Sequence, residues 1–291
     1  MACDDYVLPS SVEEALASLA SLRGQGRLIA GGTDLFLQLQ RGERNVRCLV
    51  DITRIPGLSD IRVEDSWLVV GAATTFTQIT DSSLVQERAP LLAQAAAQVG
   101  STQIRNVGTL AGNVVNAQPA ADGSIALLSL DAEAEIANLT GRQWVSVASL
   151  YVSPGVSRLD ATVEMITAFR FRAQGRRESS AFERAARRKA LTLPLINVGV
   201  RLLLDRSGSH VRQVSIAIGP VAPVPFRARE AEALLRGRAV SEDTISEAVE
   251  VAANESRPRS SLLRAGKEYR RELIAVLVRR ALVRAIEGAR G

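Results

Sequence analysis

The sequence predicts an α+β protein in three parts, and three observations carry that prediction. The N-terminal stretch alternates short apolar runs with helical periods, a βαβ pattern that implies a small, partly parallel sheet. Near the C-terminus two apolar runs, 196–204 and 210–219, flank Asp205-Arg206-Ser207-Gly208, a hairpin signal. Three helical stretches then follow in succession. At roughly 150 residues per domain, 291 residues suggest about two domains. Changes of texture divide them further, into parts at 1–57, 58–175 and 176–291.

In the first part Ser10 or Ser11 can cap a helix running to Leu22, with Glu13 and Glu14 favourable in its first turn. Residues 27–30 form a short strand, Gly31-Gly32 break it, and a second helix begins at Asp34. The next strand is 47–52. In the second part 67–71 is a strand after a turn at Glu64-Asp65-Ser66, and 75–79 starts a short helix. Residues 90–99 form an alanine-rich helix stopped by Gly100. The stretch 101–118, rich in Gly, Asn and Thr, has no strong period and reads as a long loop. A helix at 120–130, a hairpin of 133–138 with 142–147 through Thr140-Gly141, and a strand at 162–172 complete this part. The third part is expected to hold a three-stranded antiparallel sheet and helices at 228–235, 241–254 and 267–287. The last carries Leu273, Leu277 and Ala281 beside Ile274, Val278 and Leu282, a wide apolar stripe suited to burial against its own domain.

Composition excludes several functions. His210 is the sole histidine, and Cys3 and Cys48 are the only cysteines. These cannot build a usual zinc site or a four-cysteine iron–sulfur cluster. Two distant cysteines in such a chain read as reduced thiols. No apolar run reaches the roughly 18 residues of a membrane span. The acidic start of the chain lacks an apolar signal region, so a cytoplasmic location is expected. The net charge is +5, almost all of its basic side being arginine. The densest run, Arg184, Arg187, Arg188 and Lys189, lacks interleaved aromatics, which argues against nucleic-acid binding.

Three motifs can carry chemistry. Leu28-Ile29-Ala30-Gly31-Gly32-Thr33-Asp34-Leu35 is a strand, a glycine turn and a helix start, where free N–H groups suit a phosphate. It is neither a Walker A loop nor G-x-G-x-x-G. On its own it also reads as a plain βα turn capped by Thr33 or Asp34. The second motif runs from Gln103 to Asn116 and contains Thr109-Leu110-Ala111-Gly112-Asn113. Its glycines and Thr109 can lie along a second side of the same phosphate group. The third is Pro119-Ala120-Ala121-Asp122-Gly123-Ser124, where Asp122 can contact a ribose or ring N–H and is expected to cap its helix. His210 reads as a solvent-facing strand residue. With so few nucleophiles and bases, any reaction is expected to reside in a bound cofactor.

These motifs resemble the FAD-binding medium subunit of the molybdenum hydroxylases, the xanthine dehydrogenase and carbon monoxide dehydrogenase family. Ala30-Gly31-Gly32-Thr33-Asp34 resembles that family's first FAD loop, and Thr109 to Asn113 its second, T-I-G-G-N, with Ala111 in place of a glycine. Asp122, nine residues past Asn113, matches the family's aspartate. Gly71-Ala72-Ala73-Thr74-Thr75 and Gln103-Ile104-Arg105-Asn106 fit as well. Ala217 to Pro223 with Arg227-Ala228 resembles the third-domain turn. Arg264-Ala265-Gly266-Lys267-Glu268-Tyr269-Arg270 resembles R-A-S-x-x-Y-R, with Gly266 replacing serine. A lysine found near Glu183 in some members is absent.

The likeness spans nearly the whole chain and is strongest to the separate FAD subunit of bacterial xanthine dehydrogenase-type enzymes. It implies a two-lobed, PCMH-type FAD-binding domain followed by the C-terminal α+β domain. The implied FAD contacts are residues 28–35, Gly100, Thr109, Leu110, Ala111, Gly112, Asn113, Asp122 and Ile166, the last an apolar neighbour of the flavin ring. No residue of this chain is assigned a catalytic or metal-binding role. The pyrophosphate is expected to rest on Gly31, Gly32, Thr33 and Gly112, whose backbone donors meet its charge without an arginine clamp. The implied partners are a large molybdopterin subunit that hydroxylates the substrate and a small subunit with two [2Fe–2S] clusters. Electrons pass through FAD to NAD or another acceptor. Two alternatives are a self-contained FAD oxidoreductase of similar fold, such as the enolpyruvyl reductase of cell-wall synthesis, and a flavin-less scaffold subunit.

Overall fold

A computed structural model describes residues 3–188, 190–260 and 265–291. Met1, Ala2, Lys189 of the basic run and Arg264 of the C-terminal signature lie outside the described residues.

The chain begins with β1 (Asp5–Val7), α1 (Val12–Ser21), β2 (Gly26–Ile29), α2 (Leu35–Gln40) and β3 (Cys48–Asp51). The Oγ of Ser11 accepts the Glu14 amide and starts α1, whose apolar face Ala15, Leu16 and Leu19 is buried. The three strands form a parallel sheet in the order β1-β3-β2. The core under this sheet also takes in Leu58, Ala73, Ala137 and Met165, so the first two parts share apolar packing.

The middle of the chain holds β4 (Ile61–Glu64), β5 (Trp67–Gly71), α3 (Phe76–Asp81), α4 (Ser83–Arg88), α5 (Pro90–Ala97), α6 (Thr102–Val107), α7 (Leu110–Val115) and α8 (Asp122–Ser129). There follow β6 (Glu133–Asn138), β7 (Gly141–Ser146), the ribbon β8 (Tyr151–Ser153) with β9 (Val156–Ser157), and β10 (Met165–Arg172). The sheet order is β4-β5-β10-β6-β7, all antiparallel, so the last strand enters the centre. Alternation along β10 explains its placement. Phe169 and Phe171 are fully buried in the core with Leu68 and Leu110, while Arg170 and Arg172 face outward over Trp67.

The C-terminal part contains β11 (Glu178–Ala185), β12 (Ile196–Leu204), β13 (Val211–Gly219), β14 (Phe226–Arg227), α9 (Arg229–Leu235), α10 (Glu242–Glu255) and α11 (Lys267–Arg290). The apolar stripe of α11 is buried as the sequence predicts, and the helix lies over β11 and β12. His210 is half exposed beside the β12–β13 turn.

The sequence reading needs four corrections. The C-terminal sheet has four strands in the order β11-β12-β13-β14, not three. Polar Glu178-Ser179-Ser180 hides β11, and β14 is two residues long. The 101–118 stretch contains α6 and α7, begun by Ser101 and Thr109 side-chain caps but too short for a period to show. The cap of α8 is Ala121, without a side-chain bond, and Asp122 sits inside the first turn. Strands β4, β8 and β9 and helix α4 lie outside the elements that the sequence predicts.

Candidate functional site

Two turns meet across a cleft between the N-terminal and five-stranded sheets. The first leaves β2 at Ile29 and enters α2. It runs so close to the end of α6 that a Cβ on Gly31 would lie 1.9 Å from the Val107 carbonyl oxygen. The second turn is held against 72–76 by backbone bonds. The Phe76 N–H donates to Gly108 O (3.0 Å), Leu110 N–H to Thr74 O (3.0 Å) and Ala111 N–H to Ala72 O (3.2 Å). The cleft measures about 470 Å³, within the usual size of cofactor sites. All eight residues from Leu28 to Leu35 line it, with Thr109, Ala111, Gly112 and Ile166. The structure thus brings twelve of the sixteen expected contacts together.

The two turns differ in what they offer. Among the described residues, none of the five backbone N–H groups from Gly31 to Leu35 has a hydrogen-bond partner. Asp34 occupies the cap position of α2 but makes no cap bond, so neither side chain nor backbone quenches this run. Five adjacent unpaired donors on a cleft wall form an anion cradle. In the second turn the donors are already used, which corrects the expectation that the Gly112 amide meets the pyrophosphate. Besides Leu110 and Ala111, the Gly112 N–H donates to Thr109 Oγ1 at 3.2 Å. Gly112 is exposed on α7, and a Cβ there would meet only Thr109 Oγ1, at 3.1 Å. Packing of the protein therefore does not require a glycine at 112, whereas it does at 31. Gly32 has φ +66°, a conformation that favours glycine for its own sake.

The motifs did not reveal every residue of the cleft. Arg27 and Arg44 also line it, so two guanidinium groups accompany the backbone donors. Burial first, and the nearby Arg44 second, lower the Arg27 pKa, against an opposing pull from Asp160. Arg44 is held by Gln38, its Nε 2.7 Å from Oε1. Arg27 adjoins the first motif and Gln38 lies one helical turn past Leu35, so both were within reach of a helix-and-strand projection. Arg44 and the 155–162 segment come from folding at a distance and leave no local signal.

Four expected contacts lie outside the cleft lining. Leu110 is fully buried in the core. Gly100 takes φ +51° before Ser101, and its carbonyl accepts the Leu191 N–H at 3.1 Å. Asn113 Oδ1 accepts the Ser124 N–H at 3.1 Å and ties α7 to α8. Asp122 faces the C-terminal sheet. Its Oδ1 accepts Asn197 Nδ2 at 2.7 Å and Arg184 Nε at 3.3 Å. Burial pushes its carboxyl up to about 6, and Arg184 and Asn197 pull against that rise. At the other end of α8, Arg227 and Arg201 donate to the carbonyls of Leu128 (2.9 Å) and Leu130 (3.3 Å). The C-terminal part so grips α8 at both ends, with cations at its negative pole.

A donor-lined cleft between two α/β lobes defines a protein that takes a phosphate-bearing cofactor. Comparison with known families makes the class specific. A family model described as FAD binding domain in molybdopterin dehydrogenase matches residues 2–171, and one described as CO dehydrogenase flavoprotein C-terminal domain matches 180–285. The xanthine dehydrogenase FAD-binding subunit of Escherichia coli O157:H7 is 32% identical over 288 residues, covering 98% of this chain and 97% of that one. The carbon monoxide dehydrogenase medium chain of Hydrogenophaga pseudoflava is 30% identical over 278 residues, covering 96% and 95%. A solved structure of that organism's carbon monoxide dehydrogenase matches with TM-score 0.90 at 30% identity, over 98% of this chain and 97% of the other. Quinoline 2-oxidoreductase from Pseudomonas putida 86 matches with TM-score 0.88 at 27% identity, over 98% and 97%. The chain belongs to the FAD-binding medium subunits of the molybdenum hydroxylases, the family of xanthine and carbon monoxide dehydrogenases. It is accordingly an oxidoreductase subunit. The cleft fits that cofactor: the unpaired donors at 31–35 suit its pyrophosphate, and the open face of Gly112 leaves room beside it. No helix among the described residues is long and apolar enough to cross a membrane.

Proposed function

We propose that this chain is the electron-relay subunit of a three-subunit molybdenum hydroxylase and binds FAD in the cleft between lobes 1–57 and 58–175. The observation that carries the reading is the run of five unpaired N–H donors from Gly31 to Leu35 on the cleft wall. These donors hold the pyrophosphate, and Arg27 and Arg44 add positive charge nearby. Thr109, Ala111 and Gly112 close the opposite side, and Ile166 offers an apolar wall to the ring. When bound, FAD can take up electrons singly and release them in pairs. Asp122 keeps the C-terminal part, 176–291, in register with α8 and so acts on the cleft through the fold. In this reading a small [2Fe–2S] subunit supplies the electrons, a large molybdopterin subunit hydroxylates the substrate, and NAD or a similar acceptor takes the electrons away. We place the complex in the cytoplasm, consistent with the free thiols of Cys3 and Cys48.

The same cleft argues against a self-contained oxidoreductase. Among the described residues its lining includes no histidine, cysteine, lysine or tyrosine, and its two carboxylates, Asp34 and Asp160, belong to exposed residues with nothing to hold a proton on them for a substrate. The test uses the full chain loaded with FAD. It should exchange electrons with NADH or an artificial dye while leaving N-heterocycles and aldehydes untouched. Addition of the two partner subunits should establish substrate oxidation. Turnover of such a substrate by this chain alone would contradict the relay.

A further inference from the structure

A second cavity, of about 630 Å³, shares no residue with the flavin cleft and opens between the five-stranded and C-terminal sheets. Six arginines line it, Arg172, Arg201, Arg212, Arg227, Arg229 and Arg236, against three carboxylates, Asp131, Glu178 and Glu232. The carboxylates are committed to the inner arginines. Glu178 accepts Arg201 and Glu232 accepts Arg227, each at 2.6 Å. Arg229 reaches the second oxygen of Glu232 at 3.3 Å, and Asp131 accepts both Arg227 and the Ser215 hydroxyl. Arg201 and Arg227 are thus structural, since they also bond the end of α8.

The rim is different. The guanidinium groups of Arg212 and Arg236 have no hydrogen-bond or ion-pair partner among the described residues, and both side chains belong to exposed residues. Arg172 lies 3.9 Å over the Trp67 ring and bonds Ser66 Oγ, with no ion-pair partner among the described residues. Stacking on an aromatic face fixes a guanidinium plane and leaves its N–H edge available. These three cations come from β10, β13 and the end of α9, and all three line the same cavity. Unneutralised guanidinium groups around such a space focus its potential on an anion. Their planar donor forks match phosphate oxygens. A compact polyanion satisfies three cations around one cavity better than an extended acidic peptide, whose carboxylates are spaced along a chain.

We propose that this groove is a binding site for a small, multiply charged phosphate ligand, held by Arg172, Arg212 and Arg236. The proposal does not depend on the flavin reading. Its test is calorimetric titration of the full chain, already loaded with FAD, using sodium tripolyphosphate and, separately, ATP. Saturable binding of tripolyphosphate is expected. The double variant Arg212→Gln/Arg236→Gln should weaken it by about tenfold or more, equivalent to 1.4 kcal/mol, without changing flavin absorbance or melting temperature. Equal affinities for the two probes would identify the phosphate chain as the recognised unit, and a preference for ATP would identify a nucleotide; either supports the site. Absence of saturable binding, or binding unchanged in the double variant, would overturn it. So would a hexaglutamate peptide that displaces tripolyphosphate and binds more tightly, since the groove would then be a protein-docking surface.

Discussion

The first glycine turn and the second present similar residues to the same cleft, yet their backbones are in opposite states. From Gly31 to Leu35 the amides are unpaired, while those of Leu110, Ala111 and Gly112 bond to Thr74, Ala72 and Thr109. The glycines differ in kind as well. A Cβ on Gly31 would strike the Val107 carbonyl, whereas one on Gly112 would extend into the cleft past Thr109 Oγ1. The first turn is therefore an anion cradle pressed against its neighbour by a protein contact. The second is a finished piece of structure with a bare surface at Gly112. In the proposed function the first motif supplies donors and the second supplies shape, although both read as glycine loops.

The strongest way to break this contrast is Gly31→Ala. The added methyl group meets backbone, which cannot swing aside, so the two turns must separate. The expected outcome is a stability loss of about 3 kcal/mol by urea unfolding together with loss of FAD binding. Gly112→Val separates the two effects. Valine is at least as good a helix residue as glycine, so stability should stay within about 0.5 kcal/mol. FAD affinity measured by flavin fluorescence should nevertheless fall by about tenfold or more, because the branched side chain occupies the ligand's space. Unchanged affinity in this variant would mean that the second turn does not face the cofactor.

Thr109→Val has a smaller expected effect. It removes the side-chain cap of α7, at a cost of about 1 kcal/mol, and frees the Gly112 amide. The stability change should therefore exceed any change in affinity, the reverse of Gly112→Val. Asp122→Asn should affect flavin affinity least, since the carboxylate faces Arg184 and Asn197 and lies outside the cleft lining. Its signature is in pH dependence. Burial raises the folded-state pKa of Asp122 from 3.8 to about 6. Between those values the folded chain keeps a proton that the unfolded chain has released, so this group's contribution to stability falls as pH rises through that window. The asparagine variant should lack that slope in urea titrations across the same range. Equal slopes in both proteins would show that Asp122 does not titrate there.

Much of this was legible in the sequence because local chemistry dictated it. Ser11 caps its helix as a side-chain acceptor, as Ser10-Ser11 ahead of Glu13 and Glu14 predicts, and the apolar stripe predicted over 267–287 is buried in α11. The first motif was readable as a strand, glycine turn and helix, and the structure places all of 28–35 on one cleft. Other features were out of reach for physical reasons. Helices α6 and α7 are six residues each, less than two turns, so no period could mark them. The polar start of β11 belongs to a strand only because β12 pairs with it. Asp122 looked like a helix cap because the residue type favours that role. Its actual partners, Arg184 and Asn197, stand 62 and 75 residues away in sequence. The same holds for Arg44, which reaches the cleft by way of Gln38.

The contrast between the two turns, and with it the assignment of the cleft, is tested most directly by a crystal structure of the full chain loaded with FAD. Pyrophosphate oxygens are expected within hydrogen-bonding distance of backbone N–H groups between Gly31 and Leu35, with the cofactor passing over the bare face of Gly112 and the Leu110, Ala111 and Gly112 amides keeping their present partners. A pyrophosphate bound by the second turn's amides, or seated away from both turns, would contradict it.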